Sequence, residues 1–383
     1  MSGKAYLIYN EQYLNYKLSP EHPLNPLRYA LTVELMKISG VLNEEEIIPP
    51  RPATLDELYL VHDPAYVEAV MKLSKNPESG NGSRFGLGSE DNPVFAGMHE
   101  AAALISGGSA KAAEMIYEGV ADHVFNLAGG LHHALRDSAS GFCIYNDLAV
   151  AIAKLRDKGL KVAYVDLDAH HGDGVQWLFY QDPEVLTISI HETGRYLFPG
   201  TGSITELGEG AAYGTKVNIP LEPYTEDDSW LWALEEIVPD LIRKFKPDIL
   251  VTQHGCDSHR FDPLTHLANT TLAFQESAKL LHDLAHEVCG GRWLAGGGGG
   301  YDYWRVVPRA WTIVWAEMAA RTLPYDVPAD FWRKYENIAG VFLPRTFLDE
   351  GNSGLPPERQ REITTKNQRT VERLKNALAL FWS

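Results

Sequence analysis

Short apolar runs alternate with longer amphipathic segments over most of the chain. The runs have the length of buried β-strands and comprise residues 123–127, 161–165, 185–190, 248–252 and 292–295. The amphipathic segments have helical periodicity and comprise residues 101–118, 146–158, 227–245 and 271–288. Strands that alternate with helices are typical of a mostly parallel sheet covered by helices. The pattern therefore predicts an α/β fold with one central sheet.

Two segments lie outside this regular pattern. Residues 76–92 are rich in Gly, Ser and Asn and predict a long surface loop. Residues 358–380 alternate charged with apolar positions, which favours a helix packed on the outside of the protein, with a partner-docking helix as the alternative. No linker rich in Pro, Gly and Ser separates two domains.

The apolar content and the charge balance narrow the class of protein. Of 383 residues, 45% are hydrophobic, which is enough for a sizeable buried core. Lys and Arg number 34 against 51 Asp and Glu, so the formal net charge is −17. This charge argues against a surface for nucleic acid or anionic membranes, and it tolerates a cationic substrate.

Cysteine usage and the amino-terminal residues bear on the cellular compartment. The three cysteines are far apart and form no CxxC pair, so they predict neither a disulfide framework nor a cysteine zinc site. The amino-terminal residues lack the apolar core of a signal peptide, and no apolar run approaches the roughly 18 residues of a membrane span. We expect a soluble protein of the cytoplasm, a reducing compartment. Nothing in the sequence predicts an oligomeric state.

Reactive side chains follow each of the five predicted strands. Ligands of open parallel sheets bind beyond the carboxyl ends of the strands, so these residues are candidates for one shared site. In strand order they are His132 and His133; Asp166, Asp168, His170, His171 and Asp173; His191; His254 and Asp257; and Tyr301.

The pattern after the second strand predicts a metal site. Residues two apart in an extended chain point to the same side, so Asp166, Asp168 and His170 can face one point together. Asp257 on another strand end can add a further oxygen ligand. Three such ligands leave one tetrahedral position for water, as catalytic zinc sites do. Zinc is the first choice, and Fe²⁺ or Co²⁺ would also suit two carboxylates and one imidazole.

Acid and base groups are available near the same point. His132 and His133 are candidates for proton transfer near neutral pH, although His132 could instead pack structurally. Asp166 and Asp173 are candidates to hold the tautomers of these histidines. Tyr301 follows a run of five glycines and can donate a hydrogen bond to a developing oxyanion.

Seven motifs occur together in one order and carry a family resemblance. They are AGGLHH, SGFCIYND, VDLDAHHGDGV, SIH, FPGTG, GCDSHRFDP and GGGGGY. The chain resembles the zinc-dependent histone deacetylase superfamily over about residues 5–320, and DPLTHL makes it most similar to the class I-like bacterial acetoin-utilisation deacetylases. The resemblance implies the arginase/deacetylase fold. We expect a single domain over residues 1–383, with a helical extension at about 321–383 packed on the core.

The resemblance also implies a role for individual residues. Asp168, His170 and Asp257 would bind zinc, Tyr301 would polarise the acyl carbonyl, and His132 and His133 would form a catalytic pair backed by Asp166 and Asp173. Phe142, Phe198 and Gly141 would shape a tunnel with Leu264 at its rim; Asp91 would hold the substrate backbone, and Arg28 would line an inner acetate channel. A structural potassium ion would lie near Asp166, Asp168, His170 and Ser189, and a second one near Phe179 and Val185.

Together these features predict hydrolysis of ε-N-acetyl-lysine amides with release of acetate. The expected partner is an acetylated protein or a small acyl-amine such as an acetylpolyamine, and the sequence does not choose between them. Two other hypotheses are a two-manganese ureohydrolase of similar fold and a non-catalytic acyl-lysine binding module. The first would usually need further paired acids near Asp257, and the second predicts a lost ligand or a missing tyrosine. Neither feature is present in the sequence.

Overall fold

A computed structural model describes residues 3–350 and 354–382. The described residues form one sheet of eight strands, which are β1 (Ala5–Ile8), β2 (Ile47–Ile48), β3 (His123–Asn126), β4 (Val162–Asp166), β5 (Val185–Glu192), β6 (Lys216–Leu221), β7 (Ile249–Gln253) and β8 (Trp293–Gly296). Their order across the sheet is β2-β1-β3-β8-β7-β4-β5-β6, and every pairing is parallel. All carboxyl ends therefore lie at one edge of the sheet.

Helices cover this sheet. They are α1 (Leu27–Ile38), α2 (Leu55–Tyr59), α3 (Pro64–Lys75), α4 (Met98–Tyr117), α5 (Asp147–Asp157), α6 (Asp173–Leu178), α7 (Asp227–Phe245), α8 (Thr271–Val288), α9 (Val307–Met318), α10 (Ala329–Tyr335) and α11 (Pro357–Leu378). One set packs around α4 with α3 and α5, and a second set runs in contact from α1 through α9 and α8 to α7 and α11. None of the helices in the described ranges is long and apolar enough to cross a membrane.

The five predicted strands and four predicted helices are all present, with ends within a few residues of the predicted ones. Three strands were not predicted from the sequence. Strand β2 has only two residues, which is too short to give a pattern, and β1 (AYLI) lies before the part of the chain where strands and helices alternate regularly. Strand β6 (KVNIPL) interrupts its apolar positions with Lys216, Asn218 and Pro220. Because β6 lies at the edge of the sheet, it tolerates a proline that a central strand would exclude.

The carboxyl-terminal helix α11 packs on α7 and β6. Its buried positions Ile363, Val371, Leu374 and Leu378 follow helical spacing, as the charged and apolar pattern predicts. Asn367 lies among them, where its side-chain oxygen accepts from the Glu222 amide at 2.9 Å. The predicted extension at 321–383 also includes residues 351–353 and 383, which lie outside the described residues.

Candidate active site

The carboxyl edge of the sheet brings the candidate residues together. His132 and His133 follow β3, Asp166 ends β4, Asp257 follows β7 and Tyr301 follows β8. These four strands are neighbours in the order β3-β8-β7-β4. Because parallel neighbours end at the same edge, loops that are far apart in sequence converge there.

Three of these residues form a compact set of possible metal ligands. Asp168, His170 and Asp257 are buried, and one ligand atom of each lies within 4.8 Å of the others. Nδ1 of His170 is 2.8 Å from an oxygen of Asp257 and 3.1 Å from an oxygen of Asp168. Two buried carboxylates facing one imidazole form a donor set that a divalent cation fits.

The pKa values of the ligand groups reflect this crowding of negative charge. Burial and then repulsion by Asp168 raise the pKa of Asp257 to about 6. Burial alone would lower the pKa of His170, but hydrogen bonds to Asp168 and Asp257 outweigh it and raise that pKa well above the ordinary value. A positively charged group or ion between Asp168 and Asp257 is therefore strongly favoured.

The backbone after β8 closes around the same ligands. The Gly299 amide donates to Oδ2 of Asp168 at 2.7 Å. A β-carbon on Gly299 would lie 2.3 Å from Oδ2 of Asp257, so a larger residue would collide with the ligand. The glycine run lets the chain approach the carboxylates closely.

Each histidine of the pair is held by its own carboxylate. Nδ1 of His132 lies 2.8 Å from Asp166, and Nδ1 of His133 lies 2.6 Å from Asp173. The two rings are 4.0 Å apart between centroids. Nε2 is therefore the nitrogen that each ring has available for a substrate or a water molecule.

The two histidines nevertheless titrate in opposite directions. Burial would lower the pKa of His132, but the charges of Asp166 and Asp168 outweigh burial and raise it to about 9. Burial and then the positive charge of His132 lower the pKa of His133 to about 4. At neutral pH the His132 ring is therefore protonated and the His133 ring is neutral.

Tyr301 is positioned from both sides of the site. Its amide donates to Oδ2 of Asp262 at 2.8 Å, and its ring lies edge-on to Phe142 at 5.7 Å between centroids. Burial, together with the charges of Asp257 and Asp168, raises the pKa of Tyr301 well above its ordinary value. The hydroxyl therefore stays protonated and can donate a hydrogen bond.

Aromatic residues lie beside the histidine pair. The Phe198 ring lies 5.0 Å from the ring of His133, and Phe142 has a left-handed backbone with φ of 71°. Gly141 also has a positive φ, 50°, and a β-carbon there would lie 2.4 Å from Cδ2 of His133. Asp91 is exposed and lines the same surface cavity as Gly141 and Phe198. Leu264 is half-buried.

Arg28 lies deeper in the protein. It is almost fully buried, and Nη1 donates to the carbonyl oxygen of Gly300 at 3.1 Å, directly before Tyr301. Its guanidinium also lies over the rings of Tyr29 and Trp311. A buried cation therefore sits behind the proposed carbonyl-binding tyrosine.

The two expected potassium sites, one near Ser189 and one near Val185, have different surroundings. Ser189 pairs in register with Asp166 on the neighbouring strand, and its hydroxyl lies 2.8 Å from Nδ1 of His191. Near the expected second ion, the side-chain nitrogen of Lys216 donates to the carbonyl oxygen of Val185 at 2.5 Å, and burial lowers the pKa of Lys216 to about 7. A side-chain donor thus already contacts that carbonyl.

Other histidines at the strand ends have different partners. Nε2 of His254 lies 2.8 Å from the Thr252 hydroxyl, and burial lowers the pKa of His254 to about 3. His171 and His191 pack on each other with centroids 4.8 Å apart. The sequence places all three histidines near the site. In the structure they bond to or pack on neighbouring side chains and are not part of the ligand set.

Several supporting residues were not singled out from the sequence. Gln253 donates to Oδ2 of Asp168 at 3.0 Å, and Asp147 accepts from the amides of Gly130 and Leu131 before the histidine pair. The polar residue at the end of the apolar run of β7 was a usable signal for Gln253. Asp147 is the last residue of the motif SGFCIYND, but the motif did not show that its partners lie in the loop after β3.

Known proteins align with this chain over nearly its whole length. The histone deacetylase domain matches residues 22–318. The acetoin utilization protein AcuC of Bacillus subtilis (strain 168) is 49% identical over 370 residues, which cover 96% of this chain and 95% of that protein. The protein of the same name from Staphylococcus aureus (strain MRSA252) is 42% identical over 372 residues, with 96% and 95% covered.

Solved structures agree with the sequence relatives. The crystal structure of an HDAC homologue from Aquifex aeolicus has a TM-score of 0.83 at 31% identity, covering 95% of this chain and 100% of that one. A crystal structure of an HDAC homologue complexed with SAHA gives the same values. Fold and site thus define a hydrolase of the arginase/deacetylase fold. The chain belongs to the histone deacetylase family, and the two sequence relatives named above are AcuC proteins. The predicted fold and family resemblance are confirmed.

Proposed function

We propose that this hydrolase cleaves ε-N-acetyl-lysine amides and releases acetate and the free amine. The observation that carries the proposal is the buried ligand set of Asp168, His170 and Asp257 beside a carboxylate-held histidine pair and a protonated tyrosine. The match to the histone deacetylase domain over residues 22–318 supports this class of reaction.

The proposed cofactor is zinc. Asp168, His170 and Asp257 would hold it, and Fe²⁺ or Co²⁺ would suit the same donors. When bound, the metal supplies a Lewis acid and lowers the pKa of a water ligand. We also propose a structural potassium ion beside the site, with Asp166, Asp168, His170 and Ser189 among its neighbours.

The protein's own side chains would move the protons. Nε2 of His133 accepts a proton from the attacking water, while Asp173 holds the opposite nitrogen of the ring. His132, which is protonated at neutral pH, provides positive charge beside the reaction. His133 then returns the proton to the leaving amine. The Tyr301 hydroxyl donates to the acyl oxygen as negative charge develops on it.

The substrate proposal follows from the shape and lining of the approach. Phe142 and Phe198 provide apolar walls for an alkyl stem, with Gly141 between them and the histidine pair and Leu264 at the rim. At the exposed mouth, the Asp91 carboxylate can accept from the backbone amides of a peptide. Arg28 would bind the acetate product behind Tyr301. We propose that the enzyme works in the cytoplasm on an acetylated protein or a small acyl-amine.

The test is acetate release by metal-free protein before and after zinc is restored, with potassium in the buffer. We expect the protein to turn over acetyl-lysine peptides only after zinc has been restored. The Asp257→Asn variant should show no turnover even with zinc. The matched control is Asp228→Asn, which changes an exposed carboxylate and should keep full activity. Turnover of acetylpolyamines but not peptides would assign the small substrate. Urea release from guanidino compounds, or no product from any substrate, would contradict the proposal.

A further inference from the structure

Three histidines outside the active site meet at the amino edge of the sheet. His123 is the first residue of β3, and His282 and His286 lie one turn apart on α8. The site described above lies at the opposite, carboxyl edge. We refer to His123, His282 and His286 as the histidine triad.

The geometry of the triad suits a single metal ion. One ring nitrogen of each histidine lies within 4.8 Å of the others. Nε2 of His282 and Nε2 of His286 are 3.1 Å apart. Metal–nitrogen bonds of about 2.0–2.1 Å at tetrahedral angles separate two ligand nitrogens by about 3.3 Å. The pair on α8 is therefore close to the spacing of two ligands of one ion.

His123, the third histidine, is already held in an orientation and tautomer that suit a metal ligand. Nδ1 of His123 donates to the carbonyl oxygen of Met318 at 2.7 Å, which fixes the tautomer and leaves Nε2 with a lone pair. His123 is fully buried, and its Nε2 has no hydrogen-bond partner in the described part of the chain. A buried nitrogen without a partner is costly, and a ligand at this point would satisfy it.

The surroundings of His123 and His282 favour the neutral form of both rings. Burial lowers the pKa of His123, and it lowers the pKa of His282 to about 4. Neutral imidazole is the form that binds metals. The Trp293 ring stacks on His282 at 5.7 Å and is itself anchored by a hydrogen bond to the Thr252 hydroxyl. His286 is only partly buried, which leaves a path for an ion and a water ligand.

We propose that the histidine triad binds a divalent transition-metal ion of the zinc type. Three imidazoles select Zn²⁺, Ni²⁺ or Cu²⁺ over the hard ions Mg²⁺ and Ca²⁺. The ion joins the start of β3 to α8, and through His123 it also holds the last residue of α9. The site is independent of the catalytic metal and does not rest on the proposed reaction.

The test is a count of tightly bound zinc, made by titrating the metal-free full-length protein against a chromophoric chelator. We expect two equivalents in the unmodified protein, one in His286→Gln and one in Asp257→Asn. The matched control is Lys279→Gln, an exposed change on the same helix, which should retain two. Acetate release should persist in His286→Gln, because the catalytic ligands are intact.

Thermal unfolding provides a second readout that is separate from activity. In Asp257→Asn, added zinc should raise the melting temperature by occupying the triad, and His286→Gln in that background should abolish the rise. His282→Gln serves if His286→Gln does not fold. Equal zinc counts in the unmodified protein and in His286→Gln, or no zinc bound by Asp257→Asn, would overturn the proposal.

Discussion

Two adjacent histidines acquire opposite properties from their neighbours. His132 faces two carboxylates and binds its proton strongly, whereas His133 is left next to that positive charge. Both are buried, so the charges around them decide which ring is protonated at neutral pH. The difference supports the proposed division of labour, with His133 as the base.

The Tyr301 hydroxyl should contribute strongly to kcat for amide hydrolysis. We expect Tyr301→Phe to lower kcat by roughly 100-fold or more, because it removes a hydrogen-bond donor to the developing oxyanion. Steady-state kinetics on an acetyl-lysine peptide measures the effect. The control is Tyr303→Phe, two residues further on, whose ring packs in a separate cluster around Phe331. An unchanged kcat in Tyr301→Phe would exclude the assigned role.

Gly141 should be required for the positions of the His133 and Phe198 rings and not for metal binding. In Gly141→Ala the new β-carbon would meet the rings of both His133 and Phe198. Such a displacement of the base can cost about 100-fold in kcat/KM, and we expect zinc binding to be unchanged.

Gly159→Ala is the matched control for Gly141→Ala. Gly159 has a similar left-handed backbone, with φ of 77°, but a β-carbon there meets open space. Both variants should lose about 1 kcal/mol of stability from the strained backbone, and only Gly141→Ala should lose activity. Equal activities in the two variants would show that the steric argument for Gly141 is wrong.

At the scale of elements, a partly buried ionic network joins three helices. Glu57 on α2 bonds Arg51 at 2.6 Å and Lys154 on α5 at 2.7 Å, and both cations also reach Glu114 on α4. Burial alone would raise the pKa of Glu57, but the hydrogen bonds from Arg51 and Lys154 outweigh it and lower that pKa to about 2. The ionised form of Glu57 therefore stabilises the fold.

This network gives a pH-dependent stability. Because the pKa of Glu57 falls from 4.5 to about 2 on folding, its contribution is present above pH 4.5 and is lost as the pH falls toward 2. Glu57→Gln should cost about 1–2 kcal/mol at pH 7 and flatten the acid dependence between those limits. Urea denaturation across pH measures both effects.

Glu362→Gln is the comparison for Glu57→Gln. Glu362 forms ion pairs within α11 on the protein surface, so the change should leave the acid dependence as it is. If Glu57→Gln and Glu362→Gln give the same pH profile, the network is not the source of the acid dependence.

Elements differed in how far the sequence could predict them. Central strands are buried on both faces and therefore appear as apolar runs, as in β4 and β7. The edge strand β6 is also largely buried, but Lys216 and Asn218 interrupt its apolar run. The partners that make these polar residues acceptable, such as the carbonyl oxygen bound by Lys216, are present only in the folded chain. The tail helix was predictable because its charged and apolar positions repeat with helical spacing.

At the scale of the whole molecule, the parallel sheet has two chemically distinct edges. The carboxyl edge gathers carboxylates, imidazoles and Tyr301, whereas the amino edge gathers the histidine triad. At the first edge, burial and then repulsion by Asp168 raise the pKa of Asp257 from 3.8 to about 6 in the metal-free protein. The free energy of unfolding of the metal-free protein should therefore fall as the pH rises through this range.

Removing one of these charges should separate stability from function. At pH 7 we expect metal-free Asp257→Asn to be more stable than the metal-free unmodified protein by about 1 kcal/mol, because the buried like-charge repulsion is gone. It should gain less stability from zinc, since it lacks a proposed ligand. Calorimetry in chelator and in zinc measures both. A lower stability of the metal-free variant, with Asp228→Asn unchanged, would contradict this account.

The sequence by itself determined the central strands, the main helices, the family and most candidate site residues. It could do so because burial, periodicity and motifs such as DLDAHHGDG are local. Only the tertiary structure decided that His254 and His191 support rather than join the ligand set, that His132 and His133 titrate in opposite directions, and that His123 meets His282 and His286. The physical reason is that strand order and burial set distances and charges between residues far apart in the chain.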